Sequence, residues 1–395
     1  MSVVLLWVLA ALISVALIVA RYRSAIADGT WFDFTNYFLP AGLAVTDGRS
    51  PYDVDGYVYS PIIAVLVGAT LGFPEPITVW TILSLGAAVG AIALFTATIW
   101  HQLRPWQRPC IAAVAVITLM WNWLTTLMLG SGQTDLYVMV ALCGAGFAAS
   151  RRNAVATGAG IAIAALMKTW PMIVGIWMFR RGASKRWTTL IAAFVTGSVA
   201  LVVIIVIWGP EAISAWADAV LRARSQPGLI HFNVLSMGEQ IFGGGKGVVS
   251  APPTFPALAI ALTIVSILVI VSALIVALLW PGDDLLSLWH VTLAVVLLLP
   301  VTHSVYLILG LPILWVRFAR FMSRPRRSVN VVTLAIWILW WVASARVQWS
   351  GDTFTTMSTV GYATVMALTM IALVVSVILE ARVRTRDSGV AITGA

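Results

Sequence analysis

Apolar segments recur along the whole of this chain, and no polar stretch between them is long enough to form a separate water-soluble core. Hydrophobic residues make up 61% of the sequence, charged residues 10%, and the mean hydropathy is +0.97. Within hydrocarbon, backbone N–H and C=O groups must pair inside the chain, which restricts it to helices or closed barrels. The length of the apolar runs favours helices. We therefore predict an all-α, polytopic transmembrane helix bundle that forms a single domain over residues 1–395.

About 12 spans are predicted, since a span needs roughly 20 predominantly apolar residues. The first segment is expected to be a span rather than a cleaved signal peptide, because no basic region precedes it and no small-residue cleavage site follows. Residues 58–73 form a further short apolar segment that either crosses the membrane or dips into it. The candidate spans are 3–20, 77–100, 110–128, 135–150, 154–167, 169–179, 188–208, 256–280, 285–300, 305–316, 330–346 and 355–379.

Basic clusters predict the orientation, because cytoplasmic loops are enriched in Lys and Arg. If these clusters face the cytoplasm, residues 21–57 form a first outer loop that carries short amphipathic helices. Residues 209–255 then form a second outer loop, and residues 381–395 form a cytoplasmic tail. Arg21 and Arg23 do not follow the rule, since they come after the first span on the predicted outer side.

Lys168 stands alone in an otherwise apolar stretch, three residues before Pro171. A charged side chain at membrane depth is costly and usually marks a functional site, and broken helices at that depth usually line cavities. An anionic ligand is therefore expected at Lys168. The alternative is a side chain that extends to the membrane surface and binds nothing.

The first outer loop holds five of the 15 acidic residues, and aromatic residues surround Asp33 within it. Partial burial there would raise the pKa of Asp33 and suit a general base. The alternative is that Asp33 only caps the helix that follows.

Nucleotide and zinc chemistry have no support in the sequence, which lacks glycine-rich phosphate loops and the HExxH and CxxC motifs. Cys110 and Cys143 lie in apolar segments and are expected to be core residues. The formal charge of +9 is attributed to membrane topology and anionic lipid rather than to nucleic acid. No cofactor and no metal are predicted.

Several short motifs resemble those of a known family. Asp33-Phe-x-x-Tyr37, Gly48-x-x-Pro-Tyr-Asp53 and Tyr59-x-Pro61 follow the first span, and the chain is similar here to the GT-C superfamily of membrane glycosyltransferases. The match is nearest to glycosyltransferase family 87, the actinobacterial mannosyl- and arabinofuranosyltransferases that use polyprenyl-phosphate sugars. Three later segments fit the order of that family: Gly132-Gln133-Thr134-Asp135, with Asp where the family has Asn; Lys168-Thr-Trp-Pro171; and Pro300-Val-Thr-His303, with one His where the family has two.

The resemblance implies a GT-C fold in the plasma membrane with the active site on the extracytoplasmic face. It implies inverting transfer of a sugar, mannosyl first and arabinofuranosyl next, from a polyprenyl-phosphate donor to a hydroxyl of a cell-envelope glycan or glycolipid. Asp33 would be the general base, and cationic side chains would hold the leaving phosphate. The implied substrate-binding residues are Lys168, His303, Gln133, Asp135, Arg222, Arg224, His231, Asn233, Tyr37 and Tyr59.

Two other classes of protein remain open at this point. A secondary transporter or flippase of an anionic or lipid-linked substrate would also place a Lys and an Asp beside a broken helix, although the sequence has no internal repeat. A cell-envelope scaffold would need no catalytic loop at all. Whatever the class, the alternative for Gln133 is that it only satisfies backbone groups at a tight turn, and the alternative for His303 is that it is an interfacial polar residue hydrogen-bonded to a carbonyl.

Overall fold

A computed structural model describes residues 2–223, 231–243, 248–249, 255–281, 283–324, 328–346 and 357–387. This part of the chain is almost entirely helical, as predicted. It divides into two compact units: 1–175 with 185–226, and 176–184 with 227–395.

The first unit contains eleven α-helices within the described residues. They are α1 Val3–Asp28, α2 Leu39–Thr46, α3 Pro61–Thr70, α4 Pro76–Ile99, α5 Gln107–Met120, α6 Trp123–Ser131, α7 Asp135–Ser150, α8 Ala154–Met167, α9 Pro171–Val174, α10 Arg186–Trp208 and α11 Glu211–Ala223. A π-helical turn covers Phe34–Phe38, and short 3₁₀ turns cover Pro51–Asp53 and Trp100–Gln102. Helix α8 packs against both α7 and α10, α4 packs on α7, and α1 packs against α5, α4 and α6.

The second unit is built around α14, which is buried along nearly its whole length. Its helices are α12 Val234–Phe242, α13 Pro256–Leu279, α14 Asp284–Leu298, α15 Leu311–Ser323, α16 Ser328–Arg346 and α17 Thr359–Asp387, with a 3₁₀ segment at Ser304–Gly310. A further 3₁₀ segment, Gly175–Phe179, begins at the last residue of the first unit's range 1–175. Two short strands, β1 Val248–Val249 and β2 Met357–Ser358, pair in parallel.

A network of charges, buried at Arg317 and partly exposed at Arg320 and Asp283, joins three helices of the second unit. Arg317, which is 1% exposed, donates to Glu380 at 3.1 Å and to the carbonyl of Ser376 at 3.0 Å. Arg320 donates to the same Glu380 carboxylate at 2.5 Å and to Asp283 at 2.9 Å. Two cations face two carboxylates, so the network is electrically balanced, as buried charges need to be.

Six helices in the described residues are long and apolar enough to cross a membrane, and α5 with α6 would make a seventh span, bent by 62°. They are Val3–Asp28, Pro76–Gln102, Arg186–Trp208, Pro256–Leu279, Ser304–Ser323 and Thr359–Val383. The chain is therefore a membrane protein.

The predicted number of about 12 spans is not confirmed. The other predicted spans coincide with shorter helices, among them α7, α8, α14 and α16. The 16 residues of α7 reach about 24 Å, less than the roughly 30 Å of the hydrocarbon core. Apolar composition did not separate these helices from spans, because a helix buried inside a bundle is as apolar as one in lipid.

The two predicted outer loops both contain helix. Helix α1 continues to Asp28, and the rest of the first loop holds the π-helical turn, α2 and a 3₁₀ turn. Helix α2 has apolar residues on all its faces, so the amphipathic character expected of it is not confirmed. The second loop contains α11 and α12, and the predicted cytoplasmic tail begins inside α17. Residues 58–73 contain α3, whose 10 residues span about 15 Å.

Candidate functional site

A polar cluster inside the first unit brings together five of the residues predicted from sequence: Asp33, Tyr59, Gln133, Asp135 and Lys168. We call it the Asp33 cluster. Its members come from four separate parts of the chain: the start of the π-helical turn, the segment before α3, the turn between α6 and α7, and the end of α8.

Gln133 and Asp135 are placed by a tight turn at Gly132. Helix α6 ends with Gly132 in the left-handed conformation at φ 83°, and the amides of Gly132 and Gln133 return to the carbonyl of Met128 at 3.1 and 2.9 Å. Glycine accepts this conformation without strain. A Cβ at this position would also lie 2.7 Å from the Cβ of Phe34, which follows Asp33. The glycine therefore allows the first loop to approach the turn closely.

The first loop is attached to α6 by its backbone. The amide of Trp31 donates to the carbonyl of Gly130 at 2.6 Å, and Trp31 has a φ of 53°, which is uncommon for a residue other than glycine. The Trp31 ring packs edge-on against Phe34 at 6.3 Å between ring centroids. Asp33, two residues after this attachment, is thereby held beside Gln133.

The carboxylate of Asp33 accepts a hydrogen bond from Nε2 of Gln133. It makes no capping bond to the helical turn that follows, so the alternative role as a helix cap has no support in the structure. Burial raises the pKa of Asp33 to about 6; the charge of Lys168 and the Gln133 hydrogen bond lower it, and the charge of Asp135 raises it further. A carboxyl group with this pKa changes its ionisation near neutral pH.

Lys168 lies at the end of α8, where the helix is broken as the sequence predicted. Its backbone is extended, at φ −144° and ψ 137°, and Pro171 then begins α9. The side chain is 5% exposed, and Nζ contacts both carboxylate oxygens of Asp135 at 2.9 Å. Asp135 is fully buried. The two charges form a buried ion pair, so the side chain does not extend to the surface.

Gln133 connects Asp33 to this ion pair. Its Oε1 accepts from Nζ of Lys168 at 3.3 Å and from the hydroxyl of Tyr59 at 3.2 Å, while its Nε2 donates to Asp33. The reverse amide orientation would direct an NH₂ group at the ammonium of Lys168, so the neighbours determine the orientation. Gln133 therefore does more than complete a turn.

The surrounding tyrosines and tryptophan hold the cluster in place. The Tyr52 hydroxyl donates to the carbonyl of Tyr59 at 2.9 Å, and the Tyr57 hydroxyl donates to the carbonyl of Ser60 at 2.7 Å. Nε1 of Trp80, on α4, donates to the carbonyl of Gly132 at 3.0 Å. Sequence reasoning included Tyr52 in a motif but assigned none of these three side chains to the site. For Trp80 no local signal exists, because its partner is reached only through the packing of α4 on α7.

Other predicted site residues of the first unit lie outside the hydrogen-bonded cluster. Tyr37 packs edge-on against Phe32 at 5.9 Å between ring centroids, and its pKa is raised by burial and then by the charges of Asp33 and Asp55. Arg222 is exposed on α11. Arg224 lies outside the described residues.

Three predicted site residues lie together in the second unit. The rings of His231 and His303 are 6.4 Å apart between centroids, and burial lowers the pKa of His231. Asn233 caps α12 by accepting from the amide of Ser236 at 2.8 Å, and its Nδ2 donates to the carbonyl of Pro300 at 3.1 Å. Asn233 thus has a structural role in joining α12 to the segment before His303.

In the part of the chain that the structure describes, no group of three or more His, Cys, Asp or Glu side chains is placed to hold a metal ion. The Asp33 cluster contributes two carboxylates, and one of them is already paired with Lys168.

Comparison with known proteins identifies the family of the chain. The model of glycosyltransferase family 87 matches residues 57–304, more than half of the chain. The match includes Tyr59, Gln133, Asp135 and Lys168, whereas Asp33 precedes it. No curated protein matches the chain. The chain belongs to glycosyltransferase family 87, as the motifs predicted, and it is a membrane glycosyltransferase.

Proposed function

We propose that this family 87 glycosyltransferase moves a sugar from a polyprenyl-phosphate donor to a hydroxyl group of a cell-envelope glycan or glycolipid, with inversion at the sugar carbon. Mannosyl is the first candidate and arabinofuranosyl the second. The observation that carries the proposal is the hydrogen-bonded path from Asp33 through Gln133 to Lys168. This path links a carboxylate that can accept a proton to a cation that can bind a phosphate group.

Asp33 acts as the general base in this mechanism. The acceptor hydroxyl must lose its proton as its oxygen attacks the sugar carbon, and a carboxylate within hydrogen-bond reach can take that proton. A pKa of about 6 keeps Asp33 ionised at neutral pH and makes it a stronger base than an exposed carboxylate. The Gln133 amide fixes the orientation of the carboxylate.

Lys168 stabilises the leaving phosphate. Its three N–H donors have three acceptors in the cluster, two from Asp135 at 2.9 Å and one from Gln133 at 3.3 Å. The longer contact to Gln133 is the one that a phosphate oxygen exchanges most easily. Gln133 would keep its bond to Asp33, and the cation would face the oxygen on which charge develops.

The remaining assignments stay predictions. They are the extracytoplasmic face of the plasma membrane as the location of the site, and substrate contacts from Tyr37, Tyr59, Asp135, Arg222, Arg224, His231, Asn233 and His303. Tyr59 and Asp135 contact Gln133 and Lys168 respectively, which favours a supporting role for both side chains.

The test is transfer by the purified protein with radiolabelled polyprenyl-phosphate mannose or arabinofuranose and a lipid-linked glycan acceptor. Loss of a general base typically costs 10²- to 10⁴-fold in rate, so Asp33→Asn should reduce transfer by about that factor. Asp53→Asn, in the same loop with an exposed side chain, is the matched control. NMR spectroscopy of the product would give the anomeric configuration. Normal transfer by Asp33→Asn, or a retained configuration, would contradict the proposal.

A further inference from the structure

The first loop exposes an aromatic ring directly beside the proposed base. Phe32, which precedes Asp33, is 52% exposed, and its ring packs edge-on against Tyr37 with 5.9 Å between centroids. The hydroxyls of Tyr52 and Tyr57 donate to carbonyl groups of the same segment, whereas the hydroxyl of Tyr37 makes no hydrogen bond within the described residues. An open aromatic surface and an unbonded hydroxyl therefore lie next to the carboxylate that an acceptor must reach.

The π-helical turn brings these two rings together. The amide of Leu39 donates to the carbonyl of Phe34, five residues earlier. In an α-helix, residues five apart point about 140° away from each other, whereas i→i+5 bonding turns them towards a common face. Phe32 and Tyr37 are five residues apart, and their rings are in contact. Such π-turns are frequent at functional sites, and this one gathers both rings near Asp33, whose charge acts on Tyr37.

A turn that carries Asp55 packs against Tyr37. Gly56 has a φ of 76°, and a Cβ at this position would lie 2.6 Å from Cε1 of Tyr37. Glycine allows the backbone to approach this closely. Burial raises the pKa of Tyr37, and the charges of Asp33 and Asp55 raise it further. The side chain of Asp55 is exposed. Tyr37 is thus held by packing, while carboxylates act on it from two separate parts of the loop.

This combination of groups suits a neutral sugar. Sugar rings have apolar C–H faces that pack on aromatic rings, and their hydroxyl groups donate to carboxylates; binding sites commonly combine aromatic walls with a few polar groups in this way. An anionic group would meet the charges of Asp33 and Asp55. The ammonium of Lys168 would not offset them, because it is already paired with Asp135.

A contact with lipid is the alternative for Phe32, since aromatic side chains are enriched at membrane surfaces. The neighbours of Phe32 argue against it. Thr35, Asn36 and Asp55 are all exposed, and a carboxylate is costly in hydrocarbon. An aromatic ring surrounded by exposed polar groups is better suited to a ligand that is itself both apolar and polar.

We propose that Phe32, Tyr37 and Asp55 form the subsite that binds the sugar of the acceptor, and that this sugar is neutral. The sugar ring packs on Phe32, and its hydroxyl groups bond to Tyr37 and Asp55, while the reacting hydroxyl faces Asp33. Gln133 then separates the acceptor from the phosphate of the donor. The assignment rests on the proposed function, because the acceptor lies here only if Asp33 takes its proton.

The test is saturation-transfer difference NMR spectroscopy of the full chain in a detergent whose head group is not a sugar. The neutral probes are octyl mannoside and octyl arabinofuranoside. Phe32→Ala should weaken binding of the preferred neutral probe about tenfold, and Phe32→Tyr, which keeps the ring, should retain it. Phe73→Ala is the matched control, because Phe73 is exposed to a similar extent, 55%.

The charge of the subsite is tested with octyl mannoside 6-phosphate, which adds an anionic group to one of the neutral probes. The unaltered protein should bind this probe at least fivefold more weakly than octyl mannoside. Asp55→Asn should narrow that difference, because it removes one of the repelling charges. Asp53→Asn, which changes another exposed carboxylate of the same loop, should leave the difference as it is.

The outcomes decide between the subsite and its alternatives. Failure of both neutral probes to bind overturns the proposal, and so does unchanged binding in Phe32→Ala or an equal loss in Phe73→Ala. Equal affinity for the phosphorylated probe overturns the assignment to a neutral sugar. Asp33→Asn should still bind the neutral probe, so binding without transfer would show that the catalytic proposal alone has failed. In the transfer assay, Phe32→Ala should raise KM for the acceptor and leave KM for the donor unchanged.

Discussion

The ion pair between Lys168 and Asp135 gives the sharpest prediction. Both side chains are buried, at 5% and 0% exposure, and the ammonium contacts both carboxylate oxygens at 2.9 Å. Removing one partner of such a pair leaves an uncompensated buried charge and costs about 3–5 kcal/mol. Lys168→Met and Asp135→Leu should each lower the free energy of unfolding by about that amount. Replacing both partners by apolar residues of similar size is often neutral, so the double variant should regain most of the loss.

Activity should behave differently from stability in these variants. If Lys168 stabilises the leaving phosphate, the double variant is folded but still deficient in transfer, because the cation is gone. The free energy of unfolding is measured by titration of detergent-solubilised protein with sodium dodecyl sulfate, and transfer by the radiolabelled-donor assay. Arg49→Gln is the control: it breaks an exposed pair with Asp47, and an exposed pair contributes at most about 1 kcal/mol. A double variant that transfers sugar at the normal rate would refute the role of Lys168.

Three further predictions concern other parts of the chain. Because burial raises the pKa of Asp33 to about 6, kcat/KM should rise with pH through about 6 and level off above it, and the residual rate of Asp33→Asn should lack this rise. Gly132→Ala should destabilise the protein by about 1–3 kcal/mol, because alanine is strained at φ 83°. The control is Gly197→Ala in α10, which has open space around it; this variant should leave the midpoint of thermal unfolding unchanged or raise it. Glu380→Gln should cost about 3 kcal/mol in an unfolding titration, because Arg317 would lose its buried counter-charge; unchanged stability would mean that the pair is not formed.

Sequence reasoning identified the helical class, the break after Lys168 and the family, because these depend on local composition and on motif order. It also selected the members of the Asp33 cluster, but it did not recognise that Asp135 pairs with Lys168. The sequence did contain the information needed for this pairing. Helices α7 and α8 are joined by a short turn and run antiparallel, so Asp135 at the start of α7 lies beside Lys168 at the end of α8.

Other features of the site could not be predicted from one sequence. The packing of Trp80 against the Gly132 turn depends on the arrangement of α4 and α7, and the positive φ of Trp31 depends on its backbone bond to α6. The predicted number of about 12 membrane spans is not confirmed for a related reason. A short apolar helix in a bundle core and a membrane span have the same composition, and only their lengths in three dimensions distinguish them.

The charges of the Asp33 cluster have a consequence for the order of events in catalysis. With Asp33 ionised, the two carboxylates and one ammonium of the cluster sum to −1, and with Asp33 protonated they sum to zero. An anionic donor is therefore received more readily by the protonated form, while proton abstraction needs the ionised form. Donor affinity and base strength thus change in opposite directions with pH. By linkage, the arriving donor raises the pKa of Asp33, so the same negative charge that the cluster must receive makes its base harder to ionise.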